Sequence, residues 1–241
     1  MTGYSGIREV TPRMRRVTLE GASLGTFPVS GLPADAVRVF LPNVTDAERI
    51  SRVYTIRRLD PASRKMDIDV LCHEHGPGGV WARALEAGDQ VEFLGPRHEF
   101  WAAPTARFHL LVGDESALPA IGAILETLPS PVVAIVRVEV DDENDHVDLS
   151  SPARTDVQWL HRTRQRRSLV DAVRAVQIPY HTGQAWIAGE AGSARVVRRH
   201  LIDGVLPRTA IRAVGYWRAH TTMTELDQEQ LASGRDDVEL E

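Results

Sequence analysis

The chain has 241 residues and a formal net charge of −5, and 43% of its residues are hydrophobic and 25% are charged. These ordinary proportions predict one large or two modest globular domains, and the negative net charge argues against nucleic acid as a partner. The single cysteine, Cys72, excludes an intrachain disulfide, a cysteine-ligated iron–sulfur cluster and a zinc ribbon. We therefore expect no cysteine-ligated metal centre.

The amino terminus and the hydropathy pattern bear on where the protein acts. Residues 1–10 contain no apolar signal-peptide core, and the sequence has no run of about 18 apolar residues that would span a membrane. A chain without disulfides fits the reducing cytosol. We therefore expect a cytoplasmic protein without a membrane span.

Short segments of alternating apolar and polar residues dominate the first part of the chain. They predict strands at residues 7–20, 37–42, 52–59, 65–72 and 90–94. Residues 60–63 predict a turn, because proline fixes φ and aspartate bonds to nearby backbone amides. Strands of this length, separated by turn signals, are typical of a closed antiparallel barrel.

The third of these strands carries side chains suited to a flat, polyanionic ligand. Arg52 and Tyr54 share one face of the strand, and Thr55 and Arg57 share the other, because side chains alternate with period two. A guanidinium holds a diphosphate by a fork of donors, and a tyrosine ring offers a stacking plane. The alternative is a barrel strand whose arginine is solvated and whose tyrosine fills the core.

A glycine-rich loop follows the fourth predicted strand, at residues 76–79, and Trp81 begins a predicted short helix at 81–87. Glycines let a backbone approach a ligand closely, and a helix N-terminus favours bound phosphate. The alternative is a turn against which Trp81 only packs. His73 and His75 flank the loop, and without identifiable partner ligands they indicate ligand contact or surface positions rather than a metal site.

The composition changes after residues 95–97, which we expect to close the first domain. Residues 100–104 lead into the second, so the predicted domains are 1–104 and 105–241. An apolar run at residues 108–112 then predicts a strand buried on both faces, and further strands are predicted at residues 132–138, 157–160, 184–188 and 211–216.

Helical patterns separate these apolar strands. They begin at Leu118 and recur at residues 168–177 and 194–203, with a final helix at 224–232. Strands that alternate with helices predict a parallel α/β sheet, in which ligands bind at the carboxyl ends of the strands. The segments 113–116, 189–192 and 215–218 lie at such ends, and a basic cluster that includes Arg162 and Arg164 follows the third strand.

Six stretches in order make the chain resemble the siderophore-interacting protein family, the ferric-siderophore reductases of the ferredoxin-reductase superfamily. These stretches are RVYTIR, DIDVLCHEHGPGGVWA, GDQVEFLGPR, GDESALPA, WIAGEAG and GYWR. Two departures stand out. The loop HEHGPGG is richer in glycine than the usual family form, and the residues after Arg218 are neither basic nor glycine-rich.

The resemblance implies an N-terminal antiparallel Greek-key barrel that binds FAD and a C-terminal parallel-sheet domain that binds NAD(P)H. By this resemblance, Arg52 holds the FAD diphosphate and Thr55 lies near flavin N5, with no side chain acting as a catalytic acid or base. The implied cofactor-binding residues are Arg52, Tyr54, Thr55, Arg57, Asp69, His73, Gly76, Gly78, Gly79 and Trp81.

The implied nucleotide site lies in the second domain, at Gly113, Asp114, Glu115, Ser116, Ala117, Arg162, Arg164, Gly189 and Glu190. Arg162 and Arg164 lie where a 2′-phosphate is held in this superfamily, which favours NADPH over NADH as the electron donor. A solvated pair of arginines is the alternative for these two residues, and a ferredoxin is the alternative donor.

The resemblance also implies a substrate, a ferric siderophore of anionic character, and Arg57, Arg97 and Arg218 are its candidate ligands. Reduction of the chelated Fe(III) to Fe(II) would release iron in the cytoplasm. Two alternatives stay open: a flavin-binding siderophore carrier without efficient turnover, and a flavoprotein reductase with another acceptor. The sequence does not decide the oligomeric state, for which a monomer is our expectation.

Overall fold

The computed structural model describes residues 2–28, 30–41, 50–72, 77–164, 168–178, 182–204 and 206–219. The chain divides into two compact units, one built from Met1–Trp101 with Gly122–Ile124 and the other from Ala102–Ile121 with Leu125–Glu241. The finer domain bounds of 1–104 and 105–241 stay a prediction.

The N-terminal unit is an antiparallel sheet. Its strands are β1 (Thr2–Thr11), β2 (Met14–Gly21), β3 (Ala36–Phe40), β4 (Ser51–Asp60), β5 (Lys65–Leu71) and β6 (Glu92–Arg97). Their order is β1-β2-β5-β4-β3-β6. The free edge of β1 bonds to the segment before β6, with Tyr4 N–H donating to Asp89 O (2.8 Å) and Val91 N–H to Thr2 O (2.9 Å). These bonds close the sheet and confirm the predicted barrel.

Strand β4 changes neighbours halfway along its length. Its first half pairs with β3, where Val39 faces Arg52 and Val37 faces Tyr54. Its second half pairs with β5 from Ile56 onward, with an irregularity in register between Ile56 and Arg58. The strand that carries the Arg-x-Tyr-Thr sequence therefore belongs to both halves of the barrel.

Three local expectations for this unit are wrong. Residues 7–20 are not one strand, because Pro12 turns the chain between β1 and β2 and makes an antiparallel hairpin. The helix expected at 81–87 is α1 (Pro77–Ala84), so Gly78 and Gly79 lie in its first turn rather than in a loop. The strand expected at residues 90–94 is β6 (Glu92–Arg97), which begins later and includes residues 95–97.

The C-terminal unit is a parallel sheet, as predicted. Its strands are β7 (Phe108–Asp114), β8 (Val133–Val140), β9 (Arg154–His161), β10 (Gly183–Glu190) and β11 (Ile211–Trp217), in the order β11-β10-β7-β8-β9. Its helices are α2 (Leu118–Thr127), α3 (Leu169–Arg174) and α4 (Ala191–Ile202). Pro119 lies in the first turn of α2, and Ser168 forms a capping box with Asp171, both as expected.

The strand order places a topological switch beside β7. From β7 the chain moves outward to β8 and β9, and then returns to the other side of β7 to form β10 and β11. Apolar side chains of β7, such as Leu110 and Val112, pack with Val197 and Leu201 of α4 in one core. The carboxyl ends of β7 and β10 are neighbours at this switch, which is the usual ligand-binding point of such sheets. The helix expected at 224–232 lies outside the described residues.

Candidate functional site

The predicted flavin side chains on β4 are largely withdrawn from solvent. Arg52 and Thr55 are buried, at 7% and 6% exposure. The Nη1 of Arg52 donates to the carbonyl of Ser51 at 2.6 Å, which fixes one side of the guanidinium. A guanidinium offers several donors in a planar fork, so Arg52 is suited to hold an anionic group.

Helix α1 brings three of the predicted residues together. The rings of Tyr54 and Trp81 stack at a centroid separation of 6.1 Å and an interplanar angle of 22°. A Cβ atom on Gly78 would overlap the Tyr54 hydroxyl. The absence of a side chain at this position therefore leaves room for the tyrosine ring against the first turn of the helix. Trp81 Nε1 is buried and has no hydrogen-bond partner among the described residues.

These features fit a diphosphate-bearing cofactor such as FAD. The first turn of α1 contains no acidic side chain, so its backbone N–H groups and the positive end of the helix dipole are suited to phosphate. Arg52 supplies a buried cation, and Trp81 Nε1 supplies a buried donor. His73 and Gly76, also predicted at this site, lie outside the described residues.

Asp69 has a partner within the barrel itself. Its two carboxylate oxygens accept hydrogen bonds from Arg16 Nε (2.6 Å) and Nη2 (2.7 Å), across the β2–β5 pair. The Asp69 side chain is almost fully buried, at 3% exposure. This bidentate ion pair accounts for the burial of Asp69 without a ligand. Sequence reasoning missed Arg16, because only strand pairing places it opposite Asp69.

The three candidate substrate arginines lie in different surroundings. Arg97, on β6, forms an ion pair with Glu99, whose carboxylate is buried, at an Nη2–Oε1 distance of 2.5 Å. Arg57, on β4, is half-buried. Arg218 directly follows β11 and is also half-buried. The charge of Arg97 is thus already shared with a carboxylate.

Asp114 joins the carboxyl ends of three neighbouring strands. From the end of β7, its carboxylate accepts hydrogen bonds from Ser116 N–H (2.9 Å), Glu190 N–H (2.9 Å) and Trp217 Nε1 (2.7 Å). Burial raises the pKa of Asp114, against the opposing effect of the Ser116 and Trp217 hydrogen bonds. Every one of these donors belongs to the sheet or its turns, so Asp114 organises this edge of the unit.

Glu190 ends β10 and caps α4. Its side chain accepts from Ser193 N–H at 2.7 Å and from Ala219 N–H at 3.4 Å. Burial alone would raise the pKa of Glu190, but backbone N–H bonds from Gly192, Ser193 and Ala219 outweigh that effect and lower it. The carboxylate therefore stays charged and ties the segment after β11 to the start of the helix.

The glycines of the predicted nucleotide turns are required by close packing. A Cβ atom on Gly113 would overlap Ala117 and lie 2.8 Å from the carbonyl of Ala188. Gly189 has φ +130°, and a Cβ there would lie 2.5 Å from Asp114 Oδ2. The approach of β7 to β10 explains both glycines, whether or not a nucleotide is bound.

Arg162 lies at the centre of a carboxylate cluster. Its Nη1 donates to Glu115 Oε1 (2.7 Å), its Nη2 donates to Glu115 Oε2, and its Nε donates to Glu139 Oε2 (3.1 Å). Asp141 Oδ1 lies 3.6 Å from Nη1. Burial opposes the charge of Arg162, but the Glu115 bonds and the nearby carboxylates raise its pKa overall.

Arg164, the second predicted phosphate ligand, forms an exposed pair with Glu143, with an Nη1–Oε2 distance of 2.6 Å. Both arginines therefore already have carboxylate partners. Within the described residues, no group of three or more histidine, cysteine, aspartate or glutamate side chains is placed to hold a metal ion. No helix in the described parts of the chain is long and apolar enough to cross a membrane.

Comparison with known families matches most of the chain. The family of siderophore-interacting FAD-binding domains matches residues 43–100, and the family of siderophore-interacting proteins matches residues 106–220. The chain belongs to the siderophore-interacting protein family. Its N-terminal unit is thus the FAD-binding domain of that family, in agreement with the fit of Arg52, Gly78 and Trp81 to the cofactor.

Named relatives of this family cover most of the chain. Ferric vibriobactin reductase ViuB of Vibrio cholerae is 33% identical over 87% of this chain and 85% of that protein. Ferric acinetobactin reductase of Acinetobacter baumannii is 28% identical over 86% of this chain and 79% of that protein.

Solved structures of the family share the fold. A siderophore utilization protein from T. fusca superposes with a TM-score of 0.81 at 31% identity, covering 92% of this chain and 93% of that chain. The siderophore-interacting protein SipS from Aeromonas hydrophila gives a TM-score of 0.83 at 26% identity, covering 97% and 96% of the two chains. Ferredoxin-NADP+ reductase from Plasmodium falciparum, at 10% identity and a TM-score of 0.68, covers 87% of this chain and 93% of that chain and shows the shared fold alone.

Proposed function

We propose that this protein reduces the Fe(III) of a ferric siderophore to Fe(II), with FAD as its cofactor and a nicotinamide nucleotide as its electron donor. The observation that carries the proposal is the arrangement at α1, where Tyr54, Gly78 and Trp81 come together within the FAD-binding family region. The names of the V. cholerae and A. baumannii relatives support the ferric-siderophore substrate.

The chemistry that bound FAD supplies is acceptance of a hydride and delivery of single electrons. The residues of this chain bind and orient. Arg52 and the amides of the first turn of α1 would hold the diphosphate, while Tyr54 and Trp81 provide flat surfaces. Thr55 is proposed to lie near the reactive edge of the ring system, without itself transferring a proton. A hydride carries a pair of electrons, so each nucleotide oxidised should reduce a pair of ferric ions.

The electron donor is proposed to bind at the carboxyl ends of β7 and β10, where the strand order reverses. The turns at residues 113–117 and 189–190 form this edge. A ferredoxin is the alternative donor. We propose the cytoplasm as the site of action, since a chain with a single cysteine fits a reducing compartment and Fe(II) released there is available for use.

The ferric siderophore is proposed to be anionic and to contact Arg218, which directly follows β11. A fixed cation raises the encounter rate of an anionic ligand. Arg218→Ala should therefore raise the apparent KM for an anionic ferric siderophore and leave flavin reduction by the nucleotide unchanged. Stopped-flow measurement of the separate half-reactions tests this. Loss of flavin reduction with unchanged chelate reduction would assign Arg218 to the nucleotide instead.

The deciding experiment follows the visible spectrum of the purified protein under anaerobic conditions. Addition of NADH or NADPH should bleach the flavin bands, and a ferric siderophore should restore them while an Fe(II) chelator develops colour. Bleaching without reoxidation by the siderophore would indicate a reductase with another acceptor. Siderophore binding without any bleaching by nucleotide or reduced ferredoxin would indicate a carrier.

Arg52→Ala tests the cofactor site itself. The substitution should weaken FAD retention by about 1–3 kcal/mol, because it removes a charge-assisted hydrogen bond. Equilibrium dialysis of the reconstituted protein measures this loss. Arg8→Ala is the matched control, since Arg8 is an exposed cation on β1 of the same barrel. Equal FAD affinity in Arg52→Ala and wild type would remove Arg52 from the site.

A further inference from the structure

The carboxyl ends of β7, β8 and β9 carry a compact charged cluster formed by Glu115, Glu139, Asp141 and Arg162. Glu115 follows β7, Glu139 and Asp141 lie at the end of β8, and Arg162 follows β9. These strands are adjacent, in the order β7-β8-β9, so residues far apart in the sequence meet at one edge of the sheet.

The donors of Arg162 within this cluster are directed at carboxylates. Glu115 accepts hydrogen bonds from both terminal nitrogens of Arg162 in a bidentate pair, and Glu139 accepts one from Nε. The Glu115 side chain is 9% exposed, so the carboxylate of its pair with Arg162 is largely shielded from water. A phosphate that used Arg162 would have to displace a buried bidentate carboxylate, and a bidentate charged pair is among the strongest that a guanidinium makes.

The cluster is also negative overall. Three carboxylates surround one guanidinium, so their combined charge is −2. Glu139 and Asp141 remain partly accessible, at 27% and 35% side-chain exposure. A carboxylate near the ends of such strands accepts hydrogen bonds from the ribose hydroxyls of NAD, whereas a 2′-phosphate placed there meets like charge.

We propose that this protein selects NADH over NADPH, and that the selection is made by Glu115, Glu139 and Asp141. Glu139 or Asp141 accepts a hydrogen bond from the adenosine ribose. Glu115 pairs with Arg162, so that the guanidinium is not available to bind a 2′-phosphate. This inference rests on the proposed use of a nicotinamide nucleotide. It reverses the expectation from sequence that Arg162 and Arg164 would favour NADPH, because that expectation did not include the carboxylates that the fold places against Arg162.

Binding of adenosine diphosphate ribose and of its 2′-phosphorylated form tests the inference without turnover. Isothermal titration calorimetry of the FAD-loaded full chain should give at least about tenfold tighter binding of the unphosphorylated ligand, because like charge disfavours the phosphate. Glu115→Gln should lower this ratio of affinities, because it releases the Arg162 guanidinium to bind the 2′-phosphate. Glu139→Gln should lower the ratio as well, mainly because it weakens the binding of the unphosphorylated ligand. High salt should reduce the wild-type ratio.

Asp148→Asn is the matched control, because it removes one negative charge from the exposed loop after β8 without touching Arg162. The inference is wrong if the control narrows the ratio as much as Glu115→Gln does. It is also wrong if wild type binds the 2′-phosphorylated ligand equally well or better. If Glu115→Gln does not fold, the ratio measured for Glu139→Gln decides.

The same experiment separates this inference from the proposed function. Binding of both ligands with the opposite preference would reject the role of the carboxylates and leave the reductase function intact. Binding of neither ligand, with the flavin still reduced by dithionite and reoxidised by a ferric siderophore, would reject both this inference and the nicotinamide donor. The reductase would then draw its electrons from another donor.

Discussion

The two units use their charged side chains in opposite ways. In the barrel, Arg52 is buried on β4 and the first turn of α1 contains no acidic residue, an arrangement that suits an anion. In the parallel-sheet unit, Asp114 and Glu115 at the strand ends already hold partners from the same unit. The charged residues of a binding motif can therefore also stabilise the fold itself, as those of the parallel-sheet unit do.

Asp69 and Arg16 form a buried ion pair within the barrel, and breaking this pair tests the comparison most strongly. Asp69→Asn should lower the free energy of unfolding by about 3–5 kcal/mol, since it removes one partner of a buried ion pair. Urea unfolding of the full chain measures the loss. Asp67→Asn, which affects a single bond from the Thr18 hydroxyl at 2.8 Å, is the control and should cost about 1 kcal/mol. Normal stability with lost FAD binding would make Asp69 a cofactor ligand.

His109 sharpens the comparison, because it is buried on β7 of the parallel sheet, where burial disfavours a charged imidazole. Burial of this β7 side chain lowers its pKa from 6.5 to about 4. The unfolded chain then binds a proton before the folded one does, so stability is lost as the pH falls from 6.5 towards 4. The loss should reach about 3 kcal/mol.

Urea unfolding at a series of pH values measures this dependence, and His109→Gln should lack it. His200→Gln is the control, since His200 is partly exposed on α4. If His109→Gln retains the full acid sensitivity of the wild type, the loss arises from other groups.

Gly189 tests whether the turns of the parallel sheet are built for packing. Gly189→Ala should cost about 2 kcal/mol, because the residue has φ +130° and its new Cβ would press on Asp114. Thermal unfolding reports the change. Gly204→Ala serves as the control, since a Cβ there meets nothing within 4 Å. A stable Gly189→Ala protein with weakened nucleotide binding would reassign this glycine to the ligand.

The smallest expected effect concerns the bond between Trp217 and Asp114. Trp217→Phe removes an indole donor from a buried carboxylate and should cost about 1–2 kcal/mol. Chemical denaturation measures the cost, and loss of a shifted indole N–H signal in NMR spectra identifies the bond. Trp101→Phe, at an exposed tryptophan, should change neither. Unchanged stability in Trp217→Phe would show that the other hydrogen bonds to the Asp114 carboxylate are sufficient without the indole.

Local patterns predicted much of the fold. Apolar runs located the strands of the parallel sheet, and the capping box at Ser168 located α3. The pattern failed at β1 and β2, because alternation continues through Pro12 and hides the turn. It also misplaced the start of α1, since glycine is a poor helix former in general and yet lies in its first turn here.

The site was predicted less completely than the fold. Adjacent positions on one strand, such as Arg52, Tyr54 and Thr55, follow from period-two alternation. The partners of Arg162 do not, because Glu115 and Glu139 come from other strands whose order the sequence does not reveal. Likewise, the hydrogen bond from Trp217 to Asp114 depends on β11 lying beside β10. Charge neutralisation across strands is a property of the tertiary arrangement.

The central place of β7 in its sheet has a consequence for how the chain assembles during synthesis. Phe108 begins β7 and pairs with Val133 on one side and with Gly183 on the other. During synthesis, β7, β8 and β9 therefore leave the ribosome before β10 has been made. Until then, one edge of the apolar strand β7 has no neighbouring strand to pair with. Long-range pairing of this kind slows folding and exposes a strand edge to aggregation. Truncated nascent chains that end before β10 should be the species most dependent on chaperones.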